Sequence, residues 1–230
     1  MYDLDWQVVV DNRDSFLAGL LLALRLAVFG LGIGAVVGLL VAFARTSRFP
    51  LLSIPAAAYV EVIRNIPLLL LLFFFYFGLP IFALRTFSRD TAQRFILDGD
   101  QATILALSIY AGAYLSEVFR SGILSVSKRY LDAGRSVGLT GIGVARYVTT
   151  PIMFRAVLPA LSNTFISLFK DTSLASAIAV EELTFATREL STDTFRVIEA
   201  WSTGGALYLV TCYALALVLR WLERRIRWSV

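Results

Sequence analysis

From Phe16 to Ala44 the chain runs 29 residues with a single ionisable side chain, Arg25. A helix crossing a bilayer core needs about 20 predominantly apolar residues, and it satisfies its own backbone where water is absent. Four further apolar stretches follow, at about 54–84, 102–123, 159–180 and 200–222. With 58% hydrophobic residues and a mean hydropathy of +0.74, the chain is too apolar for a soluble domain of this size. The expectation is an all-α integral membrane protein: one transmembrane domain over 1–230, with five transmembrane helices.

Polar punctuation sets the direction of those spans. Lys and Arg gather in loops that stay in the cytoplasm. Arg45 and Arg48 follow the first span, and Arg220, Arg224, Arg225 and Arg227 surround the end of the last. The start is acidic, with Asp3, Asp5, Asp11 and Asp14 against Arg13, whereas a secretory signal begins with positive charge. The first span is therefore read as a mature helix. The N-terminus is expected outside, the C-terminus in the cytoplasm, and the segments 85–101 and 181–199 outside as loops.

The long polar interruption, 124–158, lies on the inner side of this layout. Arg120, Lys128, Arg129, Arg135, Arg146 and Arg155 fall in or beside it. Within it, Asp132-Ala133-Gly134 is followed by Gly138 and then by Val148-Thr149-Thr150-Pro151. Ala133 and Gly134 suit a short helix seated deep in a partner's groove. Gly138 suits a helix end, because glycine accepts the left-handed conformation there.

This spacing resembles the coupling ("EAA") loop of ABC importer permeases. Asp132 stands for Glu, Gly134 for the second Ala, and Val148 and Thr150 for Ile and Leu. Two more stretches resemble the polar amino acid uptake branch of that family. One is Glu61-Val62-Ile63-Arg64-Asn65-Ile66-Pro67 with Tyr76-Phe77-Gly78-Leu79-Pro80. The other runs from Leu158-Pro159 through Lys170-Asp171-Thr172-Ser173-Leu174. The resemblance covers about residues 15–225 and implies a type I ABC importer permease fold, multi-pass in the cell (inner) membrane. It also implies partners: two copies of an ATP-binding subunit, a second permease subunit (same or related), and an extracytoplasmic amino-acid-binding protein. ATP and Mg²⁺ would sit on the ATPase, and no cofactor on this chain. Asp132, Ala133, Gly134, Gly138 and Pro151 would carry the coupling to it.

Chemistry within the spans narrows the candidate site. Lys170, Asp171, Thr172 and Ser173 fall inside the fourth span, where polar side chains must face a cavity or other protein. They are candidate substrate ligands, with a scaffold role in a dimer as the competing reading. Glu61 with Arg64, and Glu117 with Arg120, are each three residues apart and on one helix face, as intramembrane ion pairs near the inner ends of their spans. The two pairs are also placed to exchange partners across helices. Gly30, Gly34 and Gly38 recur every four residues, a ridge for close helix packing.

Several functions are disfavoured. There is no G-x-x-x-x-G-K-[ST] loop to hold a nucleotide. There is no histidine and one cysteine, Cys212, which argues against a zinc site, an internal disulfide and the commonest general base. The net charge of +4 follows from basic inner loops and implies no nucleic acid. The expected function is import of a polar amino acid by alternating access, with ATP hydrolysis on a partner and no enzymatic activity here. The alternative is a passive channel or a structural membrane subunit.

Overall fold

A computed structural model describes residues 3–226 of the protein. Met1 and Arg227, two residues of the terminal segments considered above, lie outside that range. The described chain is helices joined by short links, without a strand, and five of its helical stretches are long and apolar enough to cross a membrane: Arg13–Thr46, Leu68–Thr86, Gly99–Leu124, Gly141–Ile178 and Val197–Arg225.

A short helix α1 (Gln7–Asp11) leads into α2 (Arg13–Thr46), the first span. α2 lies parallel to α7 (Gly99–Leu124), and glycine sets their closeness. A Cβ at Gly30, Gly34 or Gly38 would stand 2.8 Å from Leu107, 2.7 Å from Ala111 or 2.9 Å from Leu115. The ridge expected from the four-residue spacing is thus the α2–α7 interface, because only a missing side chain lets two backbones approach this far.

The second apolar stretch is not one helix. α3 (Pro50–Arg64) ends at Asn65, and Pro67 is extended, with ψ 136°. A proline disfavours the helical conformation in the residue before it. The span proper begins at Leu68, with α4 (Leu68–Phe73), a π turn at Phe74–Gly78 and α5 (Leu79–Thr86). Pro80 sits in the first turn of α5, just after that wide turn. The boundary expected near residue 54 is corrected to Leu68.

The expected outer loop 85–101 contains α6 (Arg89–Ala92) and the start of α7, where Asp98 and Gln101 form a reciprocal capping box. Beyond α7 comes α8 (Lys128–Ser136), then α9 (Gly141–Val144), a π turn at Ala145–Thr149, and α10 (Thr150–Asp171). The fourth span therefore begins well before Pro159. Pro159 lies inside α10, where its ring leaves no N–H to donate to the Arg155 carbonyl. A 3₁₀ stretch, Thr172–Ile178, ends this span.

The expected loop 181–199 is corrected too. It is mostly helix α11 (Leu183–Thr194), because Glu182 caps it by accepting from the amides of Thr184 and Phe185. The last span is α12 (Val197–Ile226). At its start Arg196 donates to the Asp3 carbonyl, and buried Glu199 accepts from the Asp5 amide at 2.8 Å. These contacts tie the acidic N-terminal segment to the last span.

Candidate functional site: a polar groove between α7 and α10

α7 and α10 pack side by side and leave two open cavities along their shared face. The first, about 410 Å³, is lined by Tyr110 and Tyr114 of α7 and by Asn163, Thr164, Ser167 and Asp171 of α10. The second, about 460 Å³, is lined by Glu117, Ser121 and Ser125 of α7 and by small residues such as Ala156 and Ala160 of α10. Helical repetition explains the arrangement. Tyr110, Tyr114, Glu117, Ser121 and Ser125 recur at three or four residues, as do Asn163, Ser167 and Asp171, so each set shares a helix face.

Asp171 is half-buried at the end of α10 and faces the first cavity. Opposite it the Tyr110 hydroxyl donates to Tyr114 at 3.2 Å. The other three residues singled out beside Asp171 do not line this cavity. Lys170 is exposed on another face of α10. Thr172 is fully buried, and its hydroxyl donates to the Phe169 carbonyl at 2.7 Å. Ser173 lies on the 3₁₀ stretch, half-buried. Adjacent helical positions point about 100° apart, so a run of four polar residues cannot all face one space.

Glu117, in the wall of the second cavity, is ringed by arginines from three helices. Arg45 donates to its Oε1 at 2.7 Å, Arg64 stands 3.5 Å from the same oxygen, and Arg120 stands 3.9 Å from Oε2. The expected Glu117–Arg120 pair is present, and Arg64 does cross to Glu117. The expected Glu61–Arg64 pair is not formed: Glu61 accepts from Asn65 instead. Arg64 is drawn away because Glu117 lies across from it, with Tyr114 beneath its guanidinium at 5.2 Å from the ring centroid. Arg45, taken from the sequence only as the charge that ends the first span, is the tightest partner in the ring.

The 124–158 segment forms a helical knuckle. Gly138 has φ +83°, and its amide donates to the Arg135 carbonyl while that of Leu139 donates to Gly134. These two bonds close α8 as a Schellman motif, the role glycine was expected to play. Gly134 is buried against Val144 and Val148 of its own chain. Asp132 and Ala133 are exposed, with Asp132 3.4 Å from Arg135. Pro151 lies in the first turn of α10, after the π turn. Tyr130, Val137, Ile142 and Tyr147 are also exposed on this knuckle.

Among the described residues no group of three or more His, Cys, Asp or Glu side chains is placed to hold a metal ion. The arrangement is that of a membrane-embedded transport component: spanning helices, a polar groove among them, and an exposed helical knuckle after the third span.

Residues 34–228 match the family model described as "Binding-protein-dependent transport system inner membrane component". The chain belongs to that family, and with its five apolar helices it is a multi-pass inner-membrane protein. It is 34% identical over 223 residues to the glutamine transport system permease protein GlnP of Escherichia coli, covering 97% of this chain and 98% of the relative. It is 36% identical over 222 residues to the probable glutamine ABC transporter permease protein GlnM of Bacillus subtilis, covering 96% and 98%. The fold superposes with a TM-score of 0.85 on a chain from a crystal structure of an amino acid ABC transporter with histidines, at 31% identity, covering 97% of this chain and 100% of that one. An inward-facing MetNI methionine ABC transporter shares the fold at a TM-score of 0.72 and 20% identity, covering 96% of this chain and 97% of that one. The resemblance to ABC importer permeases and the type I fold are borne out.

Proposed function

We propose that this chain is the membrane-spanning subunit of an ATP-driven importer that carries a polar amino acid by alternating access. The observation that carries the reading is the Asp171 cavity. A polar amino acid brings an α-ammonium, and a site within a membrane must offer that cation a partner. Asp171 supplies the charge, and Tyr110, Asn163, Thr164 and Ser167 supply polar groups for the rest of the ligand. The names of the glutamine relatives support this class of substrate.

In this reading α8 docks on a separate ATPase, of which two copies bind ATP and Mg²⁺ and close on each other. Closure pushes the knuckle, and the Schellman turn at Gly138 passes the push into α10, which carries Asp171. A second permease subunit completes the path, and a binding protein delivers substrate from outside.

The test is uptake by the reconstituted complex of permease, ATPase and binding protein. Asp171→Asn should raise the half-saturating concentration while the complex assembles and ATP hydrolysis still responds to the binding protein. Gly138→Pro should leave membrane insertion intact and abolish ATP-linked uptake, because proline cannot take a positive φ. Uptake that proceeds without ATP would favour a passive channel and defeat the proposal.

A further inference from the structure

Asp171 alone would accept any ammonium, including amines that lack a carboxylate. An amino acid importer that rejects them needs a partner for the carboxylate, and a cation next to the same cavity would supply one. Lys170 is outside the lining, on another face of α10, and among the described residues no contact ties it to a residue of the cavity wall other than its neighbour Asp171. Arg64 is not in the lining either, but it packs on one of the residues that are. Its guanidinium lies over the ring of Tyr114, a residue of the cavity wall, with the carbon 5.2 Å from the centroid.

Arg64 also has donors to spare. Its contact with Glu117 Oε1 is 3.5 Å long, and that oxygen already accepts from Arg45 at 2.7 Å. Among the described residues the guanidinium of Arg64 makes no hydrogen bond, although it carries five N–H donors in a fork that matches a carboxylate. Three guanidiniums against one carboxylate leave the ring around Glu117 with an excess of two positive charges. The Arg64 side chain is 43% exposed, whereas that of Arg45 is 16% exposed. Arg120 is nearly as open, at 41%, and its contact is longer, at 3.9 Å, but Arg64 is the one that lies over Tyr114 of the cavity wall.

We infer that Arg64 binds the α-carboxylate of the transported amino acid, and that with Asp171 it restricts the site to ligands carrying both charges. This rests on the proposed role of the Asp171 cavity. Before substrate arrives, the Glu117 carboxylate and the Tyr114 ring partly offset the charge of Arg64. When substrate enters, its carboxylate replaces the long contact to Glu117, and Arg45 and Arg120 continue to hold that carboxylate. No covalent bond changes, and the exchange is reversible, as a transport cycle requires.

The complete complex with its ATPase and binding protein, in vesicles and supplied with radiolabelled L-glutamine, tests the assignment. Arg64→Gln should lower uptake at least about tenfold, the scale of one hydrogen-bonded charge contact, while ATP hydrolysis stimulated by the binding protein persists. Arg64→Lys should recover part of the uptake, because it restores charge without the fork. Full uptake by Arg64→Gln alongside impaired Asp171→Asn would overturn the role of Arg64 and leave the cavity standing. Full uptake by both variants, or none by the unmodified complex, would remove the import site itself. If Glu117→Gln restores uptake to Arg64→Gln, or if neither Arg64 variant assembles, Arg64 is a structural counter-ion and the inference fails.

Discussion

Arg45, in the last turn of α2, donates to Glu117 of α7 at 2.7 Å and so joins the first and third spans at a charge. Arg64 and Arg120 approach the same carboxylate without a hydrogen bond of that length. One acid therefore organises three bases, and the three contacts differ in worth because charge-assisted hydrogen bonds weaken quickly with length and exposure.

A double-mutant cycle between Arg45 and Glu117 should give a coupling of about 1.5–3 kcal/mol, the range of hydrogen bonds to charged groups. The cycle between Arg120 and Glu117, on the same helix and more exposed, should give about 0.5 kcal/mol or less. Urea unfolding of the detergent-solubilised protein measures both, and equal couplings would contradict the geometry.

The glycine ridge makes a position-specific prediction. Gly34→Ala puts a methyl 2.7 Å from the Ala111 Cβ and should cost about 1–3 kcal/mol by overpacking. Gly32→Ala, on the same helix but with open space around it, should be neutral or stabilise by about 0.5–1 kcal/mol, since alanine suits a helix better. Thermal unfolding of the two variants compares them directly, and similar losses would mean that the α2–α7 distance is not set by glycine.

Topology is open to thiol labelling. In a Cys212→Ala background, single cysteines at Asp14, Arg89 and Asp193, all exposed, should react with an impermeant reagent from outside. Cysteines at Ser47 and Ser127 should not, because they lie beside the basic ends that the positive-inside rule keeps in the cytoplasm. Reversed labelling would invert the protein and take the proposed ATPase docking with it.

Glu182 predicts a pH dependence. It is fully buried between α11 and α12, and burial pushes its carboxyl above the ordinary value of 4.5 despite hydrogen bonds from Thr184, Phe185 and Tyr208. The native state thus holds this proton more tightly than the unfolded chain. Its contribution to stability is full below the ordinary value and is lost as pH rises through the raised one. Unfolding temperatures should therefore fall as pH rises above about 4.5, and Glu182→Gln should flatten that slope. A slope unchanged in the variant would assign it to another group.

Five spans and the glycine ridge were legible in the sequence because they are local or periodic, whereas the starts of the second and fourth spans were not. Hydrocarbon thickness fixes run length, and a four-residue repeat fixes a helix face. The helix end at Gly138 was legible for the same reason: positive φ is a property of one residue. The polar stripe of Asn163, Ser167 and Asp171 was also written in the spacing, and a four-residue period would have picked it out before Lys170, Thr172 or Ser173.

The Glu117–Arg120 pair was expected from spacing, but tertiary structure decided that Glu61 loses Arg64 and that Arg45 is the tightest partner of Glu117. The i,i+3 rule places Glu61 and Arg64 on one face, but it says nothing of a carboxylate on another helix, and Arg64 turns to Glu117. Sequence gave Gly134 no side chain; only the fold showed that Val144 and Val148 fill the space beside it. Glu182 reads as one more acid in a polar loop until α11 and α12 close over it. Local propensity and length act through neighbours along the chain, whereas ion pairing, burial and cavities depend on distances between segments, which exist only once the helices have packed.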